Sequence, residues 1–236
     1  MPVQKTGKPS LISRWRGLWP GRMHRPSARL AAWFDLWVLD LGLLRAPVNR
    51  PVEIAPGVWR SNQPTPLRLK SLARRGFKTV LNLRGEGRSG AFHLEQYTAG
   101  QIGLNLVSLK LSSRRPPTVE QVEQLQALFN EAPKPLLLHC KSGADRAGLV
   151  SALYLIHTGV PAAQAKKQLS LRFLHIKSAA TGMMDRFVET FEQAEKDHNA
   201  DFTTWLHHEY DRTAMIHAFN SDRKSNWLVD KVLRRE

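Results

Sequence analysis

Apolar and polar residues change their spacing several times along this chain, and each spacing predicts an element. Short, mostly apolar runs predict strands at 58–61, 78–83, 104–109 and 135–139. Longer stretches with apolar residues at helical spacing predict helices at 30–44, 67–75, 92–101, 118–130, 146–157, 161–171, 184–198, 201–210 and 221–234. Because strands alternate with helices, we expect an α/β fold with a central, mostly parallel sheet of about four to five strands flanked by helices.

The same pattern divides the chain into four parts. Residues 1–29 form a basic, irregular leader, residues 30–50 an amphipathic helix and a linker, residues 51–198 the α/β domain, and residues 199–236 a helical C-terminal extension. The predicted helix at 30–44 carries two acids, so it is too short and too charged to span a membrane.

The polar positions of that helix lie on one side. Asp35, Asp40 and Gly42 share a face, and the apolar residues occupy the rest of the circumference. Such a helix either lies on an anionic membrane surface or packs on the core of the domain. The segment Asn49–Pro56 contains two prolines and is predicted to be a linker.

Charge adds a constraint on partners. Lys and Arg total 35 against 20 Asp and Glu, and the first 29 residues contain no acid. A basic surface attracts phosphate-bearing partners, which include anionic lipid, phosphorylated substrates and nucleic acid, although a basic proteome would also produce it. No module of interleaved basic and aromatic residues is present, so we do not expect nucleic-acid binding. The leader has no convincing secretory signal; its Arg-rich composition also resembles a transit peptide that is poor in Ser.

One cysteine, Cys140, draws attention to a single segment. A lone cysteine cannot form an internal disulfide, and it is either a small buried hydrophobe or a reactive thiol. A predicted buried strand brings it to a sheet edge, a loop with Gly143 follows, and a helix begins near Arg146. Ligands bind at this edge of α/β sheets, and loop amides at a helix N-terminus form an anion cradle.

The chemistry of these residues suits phosphate. A thiolate is favoured by a helix N-terminus, by loop amides and by Arg146. The arginine fork can hold two phosphate oxygens while amides hold the rest. Attack by Cys140 would form a phospho-cysteine, which water hydrolyses. This chemistry needs neither a metal nor a cofactor.

The segment His139-Cys140-Lys141-Ser142-Gly143-Ala144-Asp145-Arg146 resembles the signature of the protein-tyrosine-phosphatase superfamily, in its compact dual-specificity branch. Over about 52–198 the chain is similar to that branch, including the segments 58–64 and 79–84, and the tail after Trp227 resembles a bacterial subgroup. The resemblance implies a phosphoric monoester hydrolase with residues 51–198 as its catalytic domain. It implies that His139 hydrogen-bonds within the loop, and that Lys141, Ser142, Gly143 and Ala144 line the substrate.

The expected general acid is missing from its usual loop. Relatives carry an Asp after the strand at 104–109, but here no Asp occurs between Asp40 and Asp145. Our hypothesis is that Asp145 donates the proton, as in a bacterial group of atypical phosphatases active on lipids and phosphotyrosine. Capping of the next helix is the alternative role for Asp145, and Glu86 is the reserve acid.

Ala147 is a second departure from the pattern. Most relatives have Ser or Thr after the arginine, and that hydroxyl stabilises the departing thiolate when the phospho-cysteine breaks down. Because alanine lacks a hydroxyl, we predict slow turnover in the second step.

Three functions remain open. The first is a lipid phosphatase at a membrane, supported by the basic leader, by the helix at 30–44, and by Arg114 and Arg115; phosphatidylglycerophosphate and phosphoinositides are candidate substrates. The second is a protein phosphatase acting on phosphotyrosine. The third is a phosphate-binding module with little turnover. We expect a cytoplasmic monomer, with peripheral contact to the inner face of an anionic membrane as a further hypothesis.

Overall fold

The computed structural model describes residues 15, 17, 19, 21–45, 47–48 and 50–233. One sheet has the strand order β1-β2-β5-β3-β4. The strands are β1 Val52–Ala55, β2 Val58–Ser61, β3 Thr79–Asn82, β4 Asn105–Ser108 and β5 Leu136–His139. Only the β1–β2 pair is antiparallel within the described residues, so the predicted mostly parallel α/β sheet is confirmed.

Helices surround this sheet and continue to the end of the described chain. The α-helices are α1 Pro26–Phe34, α2 Gly42–Arg45, α3 Pro66–Arg74, α4 Gly90–Ile102, α5 Val119–Glu131, α6 Asp145–His157, α7 Ala162–Ala165, α8 Met183–His198, α9 Phe202–His208 and α10 Arg212–Leu233. A π-helical turn, Asp35–Leu39, continues α1, and short 3-10 turns lie at Lys166–Gln168, Leu171–Phe173 and Ala180–Gly182.

Both faces of the sheet are covered. Successive side chains of a strand point to opposite faces, and in β5 Leu136 and Leu138 enter the main core with α5, α6 and α8. Leu137 enters a second core with α3 and α4. All three leucines are at most 1% exposed, as expected of a central parallel strand.

The N-terminal segment forms a third, smaller core against α4. Trp19 is fully buried there, together with Ala28, Ala32 and Leu36, and they contact Ala91 and Leu94. The expectation of an irregular segment up to residue 29 is therefore wrong at its end, because α1 begins at Pro26, a residue suited to the first turn of a helix. Residues 1–14, 16, 18 and 20 lie outside the described residues.

The predicted linker at Asn49–Pro56 is wrong, since it contains β1. Its prolines flank the strand and leave its backbone groups free to pair, and β1 joins β2 through a turn at Gly57 with a φ of +73°. A carboxylate oxygen of Glu53 accepts a hydrogen bond from the Gly57 amide at 2.9 Å, which stabilises this turn.

Three predicted helices have different bounds. The helix expected at 30–44 starts at Pro26 and is interrupted before α2 at Leu41, which has a φ of +56°. The helix expected at 161–171 ends early, as α7 followed by a 3-10 turn. It ends there because the Gln168 carbonyl accepts a hydrogen bond of 2.7 Å from the Arg60 guanidinium. The last helix begins at Arg212 instead of residue 221, after Asp211 accepts hydrogen bonds from the amides of Thr213 and Ala214.

Candidate active site

The carboxyl ends of the parallel strands place one loop at the centre of a sheet edge. Cys140 follows β5 directly and is 1% exposed. Gly143 has a φ of +76°, a left-handed conformation that glycine adopts without steric cost, and α6 then starts at Asp145. We name residues 140–146 the signature loop.

The carbonyl groups around this loop are held from outside. The amide of Leu83 donates to the His139 carbonyl at 2.9 Å, and the amide of Gln63 donates to the Lys141 carbonyl at 3.3 Å. In a trans peptide the N–H group points away from the C=O group. The amides of Cys140 and Ser142 therefore point to the opposite side, which is the arrangement of an anion cradle.

Arg60 extends this arrangement from β2. Its guanidinium is almost fully buried and donates to the Gly143 carbonyl at 2.6 Å and the Ala144 carbonyl at 3.1 Å. It also lies over the Phe173 ring, 3.8 Å from the centroid. Burial lowers the pKa of Arg60 to about 10, so it stays charged at neutral pH. Arg60 thus fixes the second half of the signature loop.

Arg146 lies one residue inside α6 and is half-buried. One of its terminal nitrogens is 3.5 Å from the Leu83 carbonyl, a long contact. Its Nε is buried and has no hydrogen-bond partner within the described residues. A buried donor without a partner costs free energy unless a ligand satisfies it, so this arginine is prepared for an anion.

His139 is fixed by two contacts. Its Nδ1 is 3.3 Å from the Cys140 carbonyl, and its Nε2 lies 2.8 Å from a carboxylate oxygen of Glu95 on α4. Both side chains are completely buried, and the second pair lacks the alignment of a straight hydrogen bond, so that contact is mainly electrostatic. His139 therefore links the signature loop to α4.

Asp145 contacts a histidine from a distant loop. Its Oδ1 lies 2.7 Å from His175 Nδ1, and His175 Nε2 lies 2.6 Å from Asp185 Oδ2 on α8. Burial alone would lower the pKa of His175, but the hydrogen bonds to Asp145 and Asp185 outweigh it and raise the pKa to about 9. His175 is then an imidazolium that donates to both carboxylates at neutral pH.

The alternative role of Asp145 as a helix cap is not observed. The α6 helix begins at Asp145 itself, its capping residue is Ala144, and no side chain makes a capping hydrogen bond. The Asp145 side chain is 21% exposed, so part of its carboxyl group remains accessible while Oδ1 is held by His175.

A second acid enters the site from the N-terminal segment. Asp40 accepts two hydrogen bonds of 2.9 Å from Arg84, which follows β3, and lies 3.2 Å from the Lys141 ammonium group. Arg84 also donates to the side chain of Gln63 at 2.8 Å. The ion pair between Asp40 and Lys141 thus links the segment before β1 to the signature loop.

The other predicted residues lie as follows. The hydroxyl oxygen of Ser142 is 3.4 Å from the Ala144 amide, and Ala144 and Gly143 are buried. Glu86 is exposed on the loop after β3. Ala147 is fully buried in the main core.

Arg114 and Arg115 are exposed on the loop after β4. In the part of the chain that the structure covers, no cluster of three or more His, Cys, Asp or Glu side chains could hold a metal. Nor is any helix there long and apolar enough to cross a bilayer.

Five residues of this site were missed by sequence reasoning: Arg60, Glu95, Arg84, His175 and Asp185. Their contacts join positions that are far apart in sequence, and no local spacing connects them. Only the buried arginine in a predicted strand, Arg60, gave a signal, because a charged residue in a buried strand requires a partner.

The sheet places a cysteine at its carboxyl edge, a tight loop follows, and an arginine lies at the start of the next helix. This arrangement is that of the protein-tyrosine-phosphatase superfamily, and the chain is a member of its compact dual-specificity type. A family model described as "DSP-PTPase phosphatase fused to NAD+ Kinase" matches residues 48–189. The chain belongs to this family, which places it among the phosphoric monoester hydrolases.

Individual relatives are more distant. NAD kinase 2, chloroplastic, of Arabidopsis thaliana is 32% identical over 93 residues, which are 37% of this chain and 9% of that protein. The chain spans about a tenth of the length of the curated relatives it matches. A structure of Tk-PTP in a mutant form has a TM-score of 0.50 at 22% identity, covering 64% of this chain and 97% of that one. A structure of TpbA from P. aeruginosa has a TM-score of 0.50 at 23% identity, covering 64% of this chain and 93% of that one. Both comparisons show a shared fold.

Proposed function

We propose that this chain hydrolyses phosphate monoesters through a phospho-cysteine, with Cys140 as the nucleophile and Arg146 as the phosphate clamp. The observation that carries the proposal is the buried, unpartnered Nε of Arg146 in a loop whose carbonyls are held from outside beside Cys140. Donors without partners around a buried thiol are suited to a tetrahedral anion.

The reaction has two steps. Cys140 Sγ attacks phosphorus, the bond from phosphorus to the leaving oxygen breaks, and that oxygen takes a proton from the Asp145 carboxyl group. The His175 imidazolium, which is hydrogen-bonded to Asp145, supplies this carboxyl proton and becomes neutral. A water molecule then attacks the phospho-cysteine and gives a proton to Asp145. The proton released by water in this second step restores the charged pair. The S–P bond breaks, releasing inorganic phosphate and the Cys140 thiolate.

Phosphate release from an aryl phosphate tests the nucleophile. We expect Cys140→Ser to lose hydrolysis while still binding vanadate or phosphate, since Arg146 and the loop amides remain. Hydrolysis that survives in Cys140→Ser would contradict the mechanism. Binding without hydrolysis in the wild-type protein would favour the alternative of a phosphate-binding module.

Asp145 is assigned as the proton donor because it lies next to Arg146 and His175 holds its Oδ1. Two aryl phosphates with leaving groups of different acidity separate this role from a structural one. We expect Asp145→Asn to lose about 10²–10⁴-fold on the poor leaving group and much less on the acidic one. Equal losses on both substrates would remove Asp145 from this role, and Glu86→Gln would be measured next.

His175 and Asp185 are assigned as positioning residues for Asp145. If so, His175→Asn shifts the leaving-group dependence in the same direction as Asp145→Asn, and the double variant is no worse than Asp145→Asn alone. Additive losses would show that His175 serves only the fold. A thermal melt of each variant distinguishes misfolding from loss of chemistry.

The substrate that we propose is a lipid phosphate, with phosphotyrosine as the competing class. Arg84, Lys141 and Arg146 lie at one sheet edge, where Asp40 is paired with the first two, and the remaining positive charge suits an anionic headgroup. Initial rates on phosphatidylglycerophosphate, phosphoinositides, phosphotyrosine peptides and NADP+ compare the classes; NADP+ is included because the family is fused to NAD+ kinase. A preference for peptides over both lipids would overturn the lipid assignment.

A further inference from the structure

Exposed large apolar side chains are concentrated in two segments of the described chain. Within the described residues, all of them except Leu67 belong to two segments, 30–44 and 171–176. They are Leu30, Phe34, Val38, Leu39, Leu41, Leu43, Leu44, Leu171, Leu174 and Ile176. We name this set the apolar rim. Contiguous exposed apolar patches on soluble domains mark interaction sites.

The first segment is oriented by its acids. Asp35 accepts a hydrogen bond from the Gly90 amide at 2.7 Å, and Asp40 pairs with Arg84. Both acids are buried, whereas Leu30 and Leu44 are 71% and 72% exposed. The two acids are therefore bound to the protein and the leucines of the rim are turned to the outside, whereas Ala32 and Leu36 of the same segment pack in the third core.

The second segment also has a buried polar residue between exposed apolar ones. His175 is buried between Asp145 and Asp185, and its neighbours Leu174 and Ile176 are 57% and 51% exposed. Leu174 has a φ of +60°, an uncommon conformation for leucine that turns the chain here. The buried histidine thus fixes an exposed apolar loop, in which Leu171 is 74% exposed.

Both segments touch the signature loop through charge. Asp40 lies 3.2 Å from Lys141 at the start of that loop, and His175 lies 2.7 Å from Asp145 near its end. The apolar rim therefore borders the phosphate-binding residues on two sides.

The charge beside the rim is positive. Arg172 is exposed in the second segment, and Arg22 and Arg25 are exposed just before α1. Lys177, next to the second segment, is paired with Glu189. The whole chain has a net charge of +15. Apolar side chains flanked by exposed cations complement an anionic bilayer, which offers hydrocarbon beneath negatively charged headgroups.

We propose that the apolar rim docks this chain on an anionic lipid bilayer, with the signature loop facing the headgroups. The docking itself is a binding property; its consequence, a lipid phosphate as substrate, rests on the proposed function. A surface that brings the phosphate loop to the membrane explains why leucines remain exposed beside the site.

The test is partitioning of Cys140→Ser protein onto sedimentable vesicles, with phosphatidylcholine alone compared with a mixture containing phosphatidylglycerol. We expect binding to the anionic vesicles only. Leu44→Ser and Leu171→Ser should each weaken partitioning several-fold, and together at least tenfold. Leu67→Ser is the matched control, since Leu67 is 71% exposed but lies outside the rim, and should leave binding unchanged.

Three outcomes would overturn docking: no binding to anionic vesicles, equal weakening by Leu67→Ser, or a dimer in solution that the rim variants dissociate. The last would identify the rim as a self-association surface. Activity of the rim variants on a soluble aryl phosphate should equal that of the wild-type protein. Vesicle binding without any hydrolysis would refute the proposed function alone, and hydrolysis without vesicle binding would refute docking alone.

Discussion

Arg60 shows how one residue holds a loop in a catalytic shape. The two terminal nitrogens of its buried guanidinium donate to the carbonyls of Gly143, Ala144 and Gln168, which offsets part of the cost of burying this charge. The same hydrogen bonds turn the loop carbonyls away from the phosphate position. The buried charge of Arg60 thereby orients the carbonyl dipoles of Gly143 and Ala144.

Ala147 is expected to make dephosphorylation of the enzyme slow. Rapid mixing with an aryl phosphate should show a burst of about one product per enzyme and then a slower steady rate, because no hydroxyl assists the leaving thiolate. Ala147→Ser should raise the steady rate. Ala152→Ser, at another fully buried position of α6, is the control and should not. A linear time course without trapped phospho-enzyme would contradict this prediction.

His175 is expected to make stability depend on pH. Its pKa is raised to about 9 from an ordinary 6.5, so its stabilising contribution is complete below about pH 6.5 and is lost as the pH rises through 9. The shift corresponds to about 3 kcal/mol. Urea unfolding at pH 6 and pH 9.5 should therefore show a larger loss for His175→Gln at pH 6. The exposed His208→Gln is the control, and an equal loss at both pH values would refute the linkage.

At the scale of elements, the N-terminal segment packs on α4 through small residues. A Cβ atom at Gly90 would lie 2.4 Å from the Ala32 carbonyl oxygen, whereas a Cβ at Gly100 in the same helix would meet nothing within 4 Å. Such close backbone approach is possible only without a side chain.

These two glycines provide a matched pair of variants. We expect Gly90→Ala to lose about 1–3 kcal/mol, because the backbone of α1 must move. Gly100→Ala should gain about 0.5–1 kcal/mol, because alanine favours a helix. Thermal melts give both values. Similar effects of the two substitutions would show that α1 is not packed on α4 as described.

At the scale of the whole molecule, the C-terminal helices share the core of the α/β domain. Phe202, Trp205 and Leu206 of α9 are buried in the main core, where the Trp205 ring meets Phe187 at 5.5 Å and Phe191 at 5.4 Å between centroids. Tyr210 Oη also donates to the Pro117 carbonyl at 2.7 Å. We infer that the extension and the domain unfold together.

Trp205→Ala tests this inference. Loss of a fully buried indole should cost about 3–5 kcal/mol and lower a single unfolding transition. Leu67→Ala, at an exposed position, should change stability by less than about 0.5 kcal/mol. A second, earlier transition in Trp205→Ala would mean that α9 and α10 unfold as a separate unit.

The orientation of the helix at 30–44 illustrates what a spacing pattern leaves open. Its apolar residues are compatible with core packing, but Asp35 and Asp40 find partners in the Gly90 amide and Arg84, which lie far along the chain. Burying a carboxylate is costly unless it is hydrogen-bonded, and these partners allow the acids to lie on the inner face beside Ala32 and Leu36. Spacing alone carries no information about such partners.

The sequence by itself determined the α/β class, the alternation of β2 to β5 with helices, and the segment from His139 to Arg146, because apolar periodicity and a loop motif are local properties. The tertiary structure alone decided that Asp145 meets His175, which in turn meets Asp185, that Arg60 supports the signature loop, and that the leucines of 30–44 other than Leu36 face outward. These contacts join residues distant in sequence, and buried charges choose partners by proximity in the folded chain.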